Sequence, residues 1–318
     1  MRPTGKLHLG HLVGALENWV ALQGEYDNYH LIADYHALTT DPDSSRIGSN
    51  SIEMLLDWLG AGVDPARSPV FRQSRIKEHT ELHLILSMLI TAARLERNPA
   101  VKEQVRDLNI ENVSYGHLGY PVLQAADILL YKGNLVPVGE DQVPHVEIAR
   151  EIARRFNNQY GVVFPEPEPK LTHFPRLPGL DGLDRKMSKS AGNTILLSDP
   201  PEEILKKMKT AVTDPLKVRR NDPGRPEVCL VYRYHQIFNP AGSAEIDAGC
   251  RSGALGCVEC KTKIAGVIAG HLAPFRARRE RFASRPAGVR EILADGEERA
   301  RARARSTMEE VHRAMDMG

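Results

Sequence analysis

Two groups of residues carry types and spacings that could handle a nucleotide. In Pro3-Thr4-Gly5-Lys6-Leu7-His8-Leu9-Gly10-His11, two imidazoles three residues apart flank a glycine where a strand should turn into a helix. Without a Cβ, Gly10 lets a ligand approach the backbone, and the free N–H groups at the start of a helix favour phosphate. His8 and His11 then face the same ligand and can donate hydrogen bonds to oxygens that gain charge as a phosphoryl bond breaks. A pair of histidines beside a glycine is also a common structural arrangement, so the second group matters. Lys186-Met187-Ser188-Lys189-Ser190 puts two ammonium groups on a polar loop, where they can neutralise a departing pyrophosphate. A third set, Tyr120, Gln124 and Asp127, shares one helical face, and a buried Asp127 there would accept a hydrogen bond from a ligand. Finally, all four cysteines lie between Cys229 and Cys260. Cys229, Cys250, Cys257 and Cys260 form a soft ligand set able to close around one metal centre.

These groups need a scaffold. The chain has 318 residues, of which 42% are hydrophobic and 26% charged, enough for a large domain and a smaller one and unlike a disordered or fibrous chain. Short β-rich runs at Tyr29–Ala33, Pro69–Arg72 and Val136–Val138 alternate with helical patterns at Gly10–Leu22, Ser49–Leu59, Thr80–Leu95, Val122–Tyr131 and Val143–Phe156. That alternation predicts an α/β fold, a doubly wound parallel-sheet nucleotide-binding domain over residues 1–190. Proline and glycine crowd Pro165–Gly192, which reads as a long functional loop. Beyond Pro200 the pattern is helical at Glu202–Val212, Cys229–Phe238, Thr262–Ala283 and Val289–Met317, so residues 191–318 form a smaller all-helical domain, its last helix packing back on the first domain.

Charge divides with the domains. Lys and Arg number 42 against 41 Asp and Glu, +1 overall, yet residues 195–318 carry net +5 and residues 1–194 net −4. The helical part therefore suits a phosphate-bearing partner, although such charged helices are often only solvated faces. The longest apolar run, Leu82–Ala93, is too short to span a bilayer. No secretory leader is visible and cysteines are few, which predicts a cytoplasmic protein in a reducing compartment and no membrane partner.

Taken together, His8-Leu9-Gly10-His11 and Lys186-Met187-Ser188-Lys189-Ser190 resemble the two signatures of class I aminoacyl-tRNA synthetases. Further segments, Asp34-Tyr35-His36-Ala37-Leu38-Thr39, Tyr120 to Leu129, and Val136-Pro137-Val138-Gly139-Glu140-Asp141-Gln142, look most like the tryptophanyl-tRNA synthetase family. The resemblance implies activation of L-tryptophan by ATP with magnesium, transfer to the terminal adenosine of the tRNA for tryptophan, and a homodimer. By position it implies that Asp127 accepts the indole N–H and that Tyr120 and Gln142 hold the amino acid's ammonium end. His36, Gln124 and Val138 would line that pocket. ATP would meet Arg2, Pro3, Thr4, His8, Gly10, His11 and Leu12 at the first turn, then Gly139, Glu140 and Asp141 at the ribose. The loop Lys186, Met187, Ser188, Lys189 and Ser190 would complete the ATP site, with Lys102, Lys186 and Lys189 on the pyrophosphate.

The four cysteines are similar to a [4Fe-4S] site in the helical domain of some bacterial members, the first spacing being shorter; zinc is the alternative, and empty thiols a third. The family also has a short strand ahead of the Pro3 segment, whereas only Met1 and Arg2 stand there, so the numbering is expected to begin inside the natural protein. Tyrosyl-tRNA synthetases are the nearest relatives. Ala126 before Asp127, which leaves room for a bicyclic ring, and the Gly139–Gln142 segment favour tryptophan. Two other classes compete: small adenylyltransferases, which share the first helix only, and a synthetase-like paralogue that binds tryptophan without charging tRNA.

Overall fold

In the computed structural model, residues 1–171 and 177–317 are described; residues 172–176, inside the loop read between Pro165 and Gly192, lie outside them. Among the described residues, four short strands make two parallel pairs. β1 (His30–Ile32) pairs with β2 (Val70–Arg72), His30 opposite Val70, and β3 (Leu135–Val138) pairs with β4 (Glu168–Leu171), Leu135 opposite Glu168. Crossover helices connect them, as parallel pairing requires. The doubly wound sheet is thus split: the two pairs flank an open cleft of about 2920 Å³, lined on one side by Leu31 and Ala33 and on the other by Leu135 and Val136. On the cleft side of β1, Met1 takes ladder positions, its amine donating to the Leu31 carbonyl at 2.7 Å and its carbonyl accepting from the Ala33 N–H at 2.9 Å.

The first helix runs from Leu9 to Leu22 with a π-helical stretch at Leu12–Leu16. Such wide turns concentrate at functional sites, and here Gly14 and Ala15 of that stretch line the cleft. The helix Ile47–Ala61 buries Met54, Leu55, Trp58 and Leu59 and ends on Gly62 at φ +112°. It packs along Ala273–Ala283 of the helical half, where Gly60 admits the Phe275 ring: a Cβ there would stand 3.0 Å from it. A second core gathers Phe71, Leu86, Leu129, Ile152 and Phe156.

The last helix, Pro286–Ala314, lies against β2 through Gly296 and adds the Arg72–Glu297 ion pair at 2.6 Å. Its buried Ala300 and Ala304 join the second core. Two expected helices are broken. Thr80–Leu95 is Glu78–Ser87 and Ala92–Glu96, and Thr262–Ala283 is Cys257–His271 and Ala273–Ala283, the latter with proline in its first turn.

Candidate active site

The segment Leu7–Leu9 is held from both sides. Leu9 N–H donates to the Ile195 carbonyl at 3.0 Å, and Leu197 N–H donates to the Leu7 carbonyl at 2.9 Å, so the stretch after the Lys-rich loop pairs antiparallel with the turn, His8 opposite Leu196. This pairing carries Lys186–Ser190 back to the first helix. Inside the loop, buried Asn193 receives the Ser188 N–H at 2.8 Å and donates to Asp181 at 2.6 Å and to the Lys186 carbonyl. Gly179 makes room for it, since a Cβ there would lie 2.2 Å from the Asn193 amide.

His8 and His11 stand with ring centroids 3.8 Å apart. The His8 main-chain N–H donates to His11 Nδ1 at 3.3 Å, which leaves the His11 proton on Nε2. Burial, then the charges of His11, Lys189 and Lys186, pushes His8 down to about 3, and burial, then Lys189 and Lys186, pushes His11 to about 4. Both rings are therefore neutral donors at pH 7, suited to polarising phosphate oxygens without becoming acids. Gly10 serves the histidines too: a Cβ would stand 3.1 Å from the His8 ring. Lys189 Nζ donates to Thr4 Oγ1 at 3.1 Å, to the Lys6 carbonyl at 3.0 Å and to the Thr4 carbonyl, and burial lowers its pKa.

Further into the cleft, Asp127 Oδ1 accepts from Gln73 Nε2 at 2.7 Å and is approached by His79 Nδ1 at 2.7 Å, while its Oδ2 accepts from His36 Nε2 at 2.8 Å. Burial alone would raise the carboxyl's pKa, but the two imidazoles hold it well below the usual range. Tyr120 Oη and His145 Nε2 lie 3.1 Å apart, and Gln142 donates to Asp141 at 2.8 Å. Gln73, His79 and His145 were not among the expected site residues. Gln73 directly follows β2, at the carboxyl end of a parallel strand, where ligand contacts concentrate; that position is the signal that could have found it.

Arg2, Pro3, Thr4, His8, Gly10, His11, His36, Tyr120, Gln124, Asp127, Gly139, Glu140, Asp141, Gln142, Lys186, Met187 and Ser190 all line the one cleft. Leu12 is buried in the core, Val138 is half-buried in β3, and Ser188 and Lys189 are turned to the protein; none of these four lines it. Lys102 is exposed on the helix Pro99–Asp107 and also stays off the lining, whereas Glu103 and Gln104 beside it face the cleft.

The four cysteines are free. Cys229 precedes Leu230–Phe238, Cys250 ends the helix Ser243–Arg251, and Cys257 and Cys260 open Cys257–His271. Burial, then the charges of Cys229, Cys250 and Cys257, push the Cys260 thiol up to about 12. Among the described residues, however, no three His, Cys, Asp or Glu side chains form a group that could hold a metal ion, so the expected four-cysteine centre, cluster or zinc, finds no support in the structure.

A parallel α/β half, with imidazoles at its first turn and a lysine loop beside them at the same end of one cleft, defines a nucleotide-binding protein of the class I synthetase type. The chain belongs to the family described as tRNA synthetases class I (W and Y), whose model matches residues 1–273. It is 48% identical to the tryptophan–tRNA ligase of Thermotoga maritima over all of this chain and 98% of that one. Identity to the Aquifex aeolicus tryptophan–tRNA ligase is 41%, again over the whole chain and 98% of the relative. Among solved structures, the Campylobacter jejuni tryptophanyl-tRNA synthetase complexed with ADP and tryptophan superposes with a TM-score of 0.89 at 33% identity, covering 99% of this chain and 98% of that one.

Proposed function

We propose that this chain is a tryptophan–tRNA ligase of the cytosol: it activates L-tryptophan with ATP to tryptophanyl-adenylate and pyrophosphate, then esterifies the terminal adenosine of its tRNA. The observation that carries the reading is a single cleft holding His8, His11 and Lys186 at one end and the buried Asp127 carboxylate at the other. The substrate carboxylate is itself the nucleophile, so the protein supplies alignment and charge stabilisation rather than a covalent step. His8 and His11 hold ATP phosphate oxygens, Lys186 receives the pyrophosphate with magnesium accompanying ATP while Lys189 holds the loop in place, and Gly139 and Asp141 meet the ribose. Asp127, with a lone pair left on Oδ2 beyond its Gln73, His79 and His36 partners, accepts the indole N–H; Tyr120 and Gln142 hold the ammonium group. The basic helical half meets tRNA.

Tryptophan-dependent exchange of labelled pyrophosphate into ATP tests this. Exchange with tryptophan and not tyrosine is the expected result. Exchange with tyrosine alone would reassign the substrate, and none with either would leave a binding paralogue.

Two finer readings accompany it. The exposed apolar side chains Leu84 and Met88, one turn apart, and exposed Tyr115 at the start of the helix that packs on theirs, support a homodimer face, read by sedimentation of the full chain. The spacing of Cys229, Cys250, Cys257 and Cys260, similar to that of the family's iron–sulfur site, is what suggests a cluster with a structural role, although the described residues form no metal-holding group. Iron and sulfide content after anaerobic purification decides it, and absence of both removes the cluster.

A further inference from the structure

Two carboxylates outside the cleft join the helical half to the nucleotide turn. Asp57, fully buried on Ile47–Ala61, accepts the Leu7 N–H at 2.6 Å on one oxygen and the Arg279 guanidinium at 2.7 Å on the other. Arg279 comes from Ala273–Ala283 and also pairs with Glu53. Asp199, likewise buried, accepts the Leu196 N–H at 2.8 Å and Lys207 Nζ at 2.6 Å, Lys207 lying on the helix Pro201–Thr210. The two amides belong to the paired segments already described, for Leu197 N–H bonds the Leu7 carbonyl and His8 stands opposite Leu196. One cation of the helical half therefore stands behind each strand of the ribbon that presents His8 and the lysine loop.

We infer that Asp57 and Asp199 are positioning residues that transmit the seating of the helical half to the His8–His11 turn, so that the phosphate-binding geometry depends on Arg279 and Lys207 although neither reaches the cleft. The physical basis is the asymmetry of buried charge. A desolvated carboxylate with its cation present is a fixed acceptor for one amide; stripped of the cation, it draws in water or reorients, and the amide moves with it. A shift of a fraction of an ångström in a phosphate-binding turn is enough to slow an aligned reaction. The tryptophan end, built on Asp127, Gln73 and His36, is touched by neither Arg279 nor Lys207, its own link to the last helix running through the Arg72–Glu297 pair beside Gln73, and it serves as the internal control.

This rests on the ligase reading, and the test separates the two. Tryptophan-dependent pyrophosphate exchange is measured on full-length wild type and on Arg279→Gln, Lys207→Gln, Arg279→Lys and the double variant Asp57→Asn/Arg279→Gln, the last removing the charge pair together in case the single variant fails to fold. Arg278→Gln is the control, because Arg278 docks the same helix through the Gly60 and Ala61 carbonyls and not through Asp57. Expected are a rise in KM for ATP or a fall in kcat of about tenfold or more for Arg279→Gln and Lys207→Gln, partial rescue in Arg279→Lys, and KM for tryptophan within about twofold throughout. Arg278→Gln should match wild type. Hydrogen exchange at the Leu7–Leu9 amides reads the same connection whatever the reaction proves to be, and should speed up in Arg279→Gln. Equal changes in both KM values, equal effects of Arg278→Gln, or unaltered Leu7–Leu9 exchange would overturn the inference; wild type inactive in exchange would instead overturn the ligase reading.

Discussion

Lys189 Nζ stands 3.0 Å from the Lys6 carbonyl, so the Lys-rich loop is pinned to the segment that carries His8. A cation whose three donors are spent on the Thr4 and Lys6 carbonyls and the Thr4 hydroxyl holds the loop closed, while Lys186 remains exposed at the cleft edge. Replacing Lys189 by Met should keep the loop's apolar packing and lose both the tether and the charge. Adenylate formation, followed by rapid quench, is expected to slow by about a hundredfold, with tryptophan binding little altered. Lys189→Arg should not restore it, because a planar fork cannot reproduce the three-way grip on Thr4 and Lys6. Full activity in either variant would sink this account of the loop.

Asp127→Asn addresses the other end of the cleft. The amide that replaces one carboxylate oxygen is a donor facing either Gln73 or His36, both already donating. A buried donor is thereby left unpaired, at a cost of about 1–3 kcal/mol in stability, and the indole N–H loses a charged acceptor. KM for tryptophan should climb by about a hundredfold while KM for ATP stays near wild type. The tryptophan-to-phenylalanine selectivity ratio should narrow; an unchanged ratio would show that Asp127 does not read the ring nitrogen.

Much of this arrangement could be read from the chain, for reasons that differ by region. β1, β2 and β3 announce themselves through apolar runs bounded by turn residues, but Glu168–Leu171 has a proline and a lysine at its centre and stays hidden. The helix from Tyr115 was expected to start at Val122, because Gly116, Gly119 and Pro121 resemble breakers; Ser114 caps it by accepting the His117 N–H at 3.1 Å, and packing against Glu78–Ser87 and Val143–Tyr160 overrides local preference. The helix Ser243–Arg251 also escaped notice, its apolar positions being few. At the site, His8, His11, Lys186 and Lys189 are legible because their chemistry lies in short runs. Gln73, His79 and Asp57 are not, since each acts through a contact with residues 50 or so positions away that periodicity cannot reveal. The split of the sheet is likewise a property of pairing between distant strands.

Buried neutral histidines make stability depend on pH. Burial, aided by His36, pushes His145 down to about 4, and its ring faces Tyr120 Oη. In the unfolded chain the same imidazole titrates near 6.5. Between those values the unfolded state binds a proton that the folded state refuses, so this stabilisation is fully present above pH 6.5 and is lost as pH falls toward 4. For His145 the total is on the order of 3 kcal/mol, and His30, pushed to about 4 by burial and stacked on Trp19, adds to the same slope. Urea unfolding at a series of pH values should show the decline, and His145→Gln, which keeps a partner for Tyr120, should flatten it. An equal slope in the variant would mean that other groups control acid unfolding.

Gly296 tests how the last helix meets the sheet. A Cβ at that position would lie 2.0 Å from the Val70 carbonyl oxygen and 2.9 Å from its nitrogen, inside the backbone of β2. No rotamer can relieve a clash between a Cβ and main chain, so Gly296→Ala must push Pro286–Ala314 away from the strand and loosen the neighbouring Arg72–Glu297 pair. The cost should be about 2–4 kcal/mol, seen as a lower urea midpoint. Gly266, exposed in the middle of Cys257–His271 with nothing near its missing Cβ, supplies the opposite case. There, alanine removes backbone freedom from the unfolded chain at no steric cost, and Gly266→Ala should raise stability by about 0.5–1 kcal/mol. Because the helical preference of alanine is the same at both positions, the difference between the two variants isolates the contact with β2. A Gly296→Ala protein as stable as wild type would show that the last helix does not press on the strand.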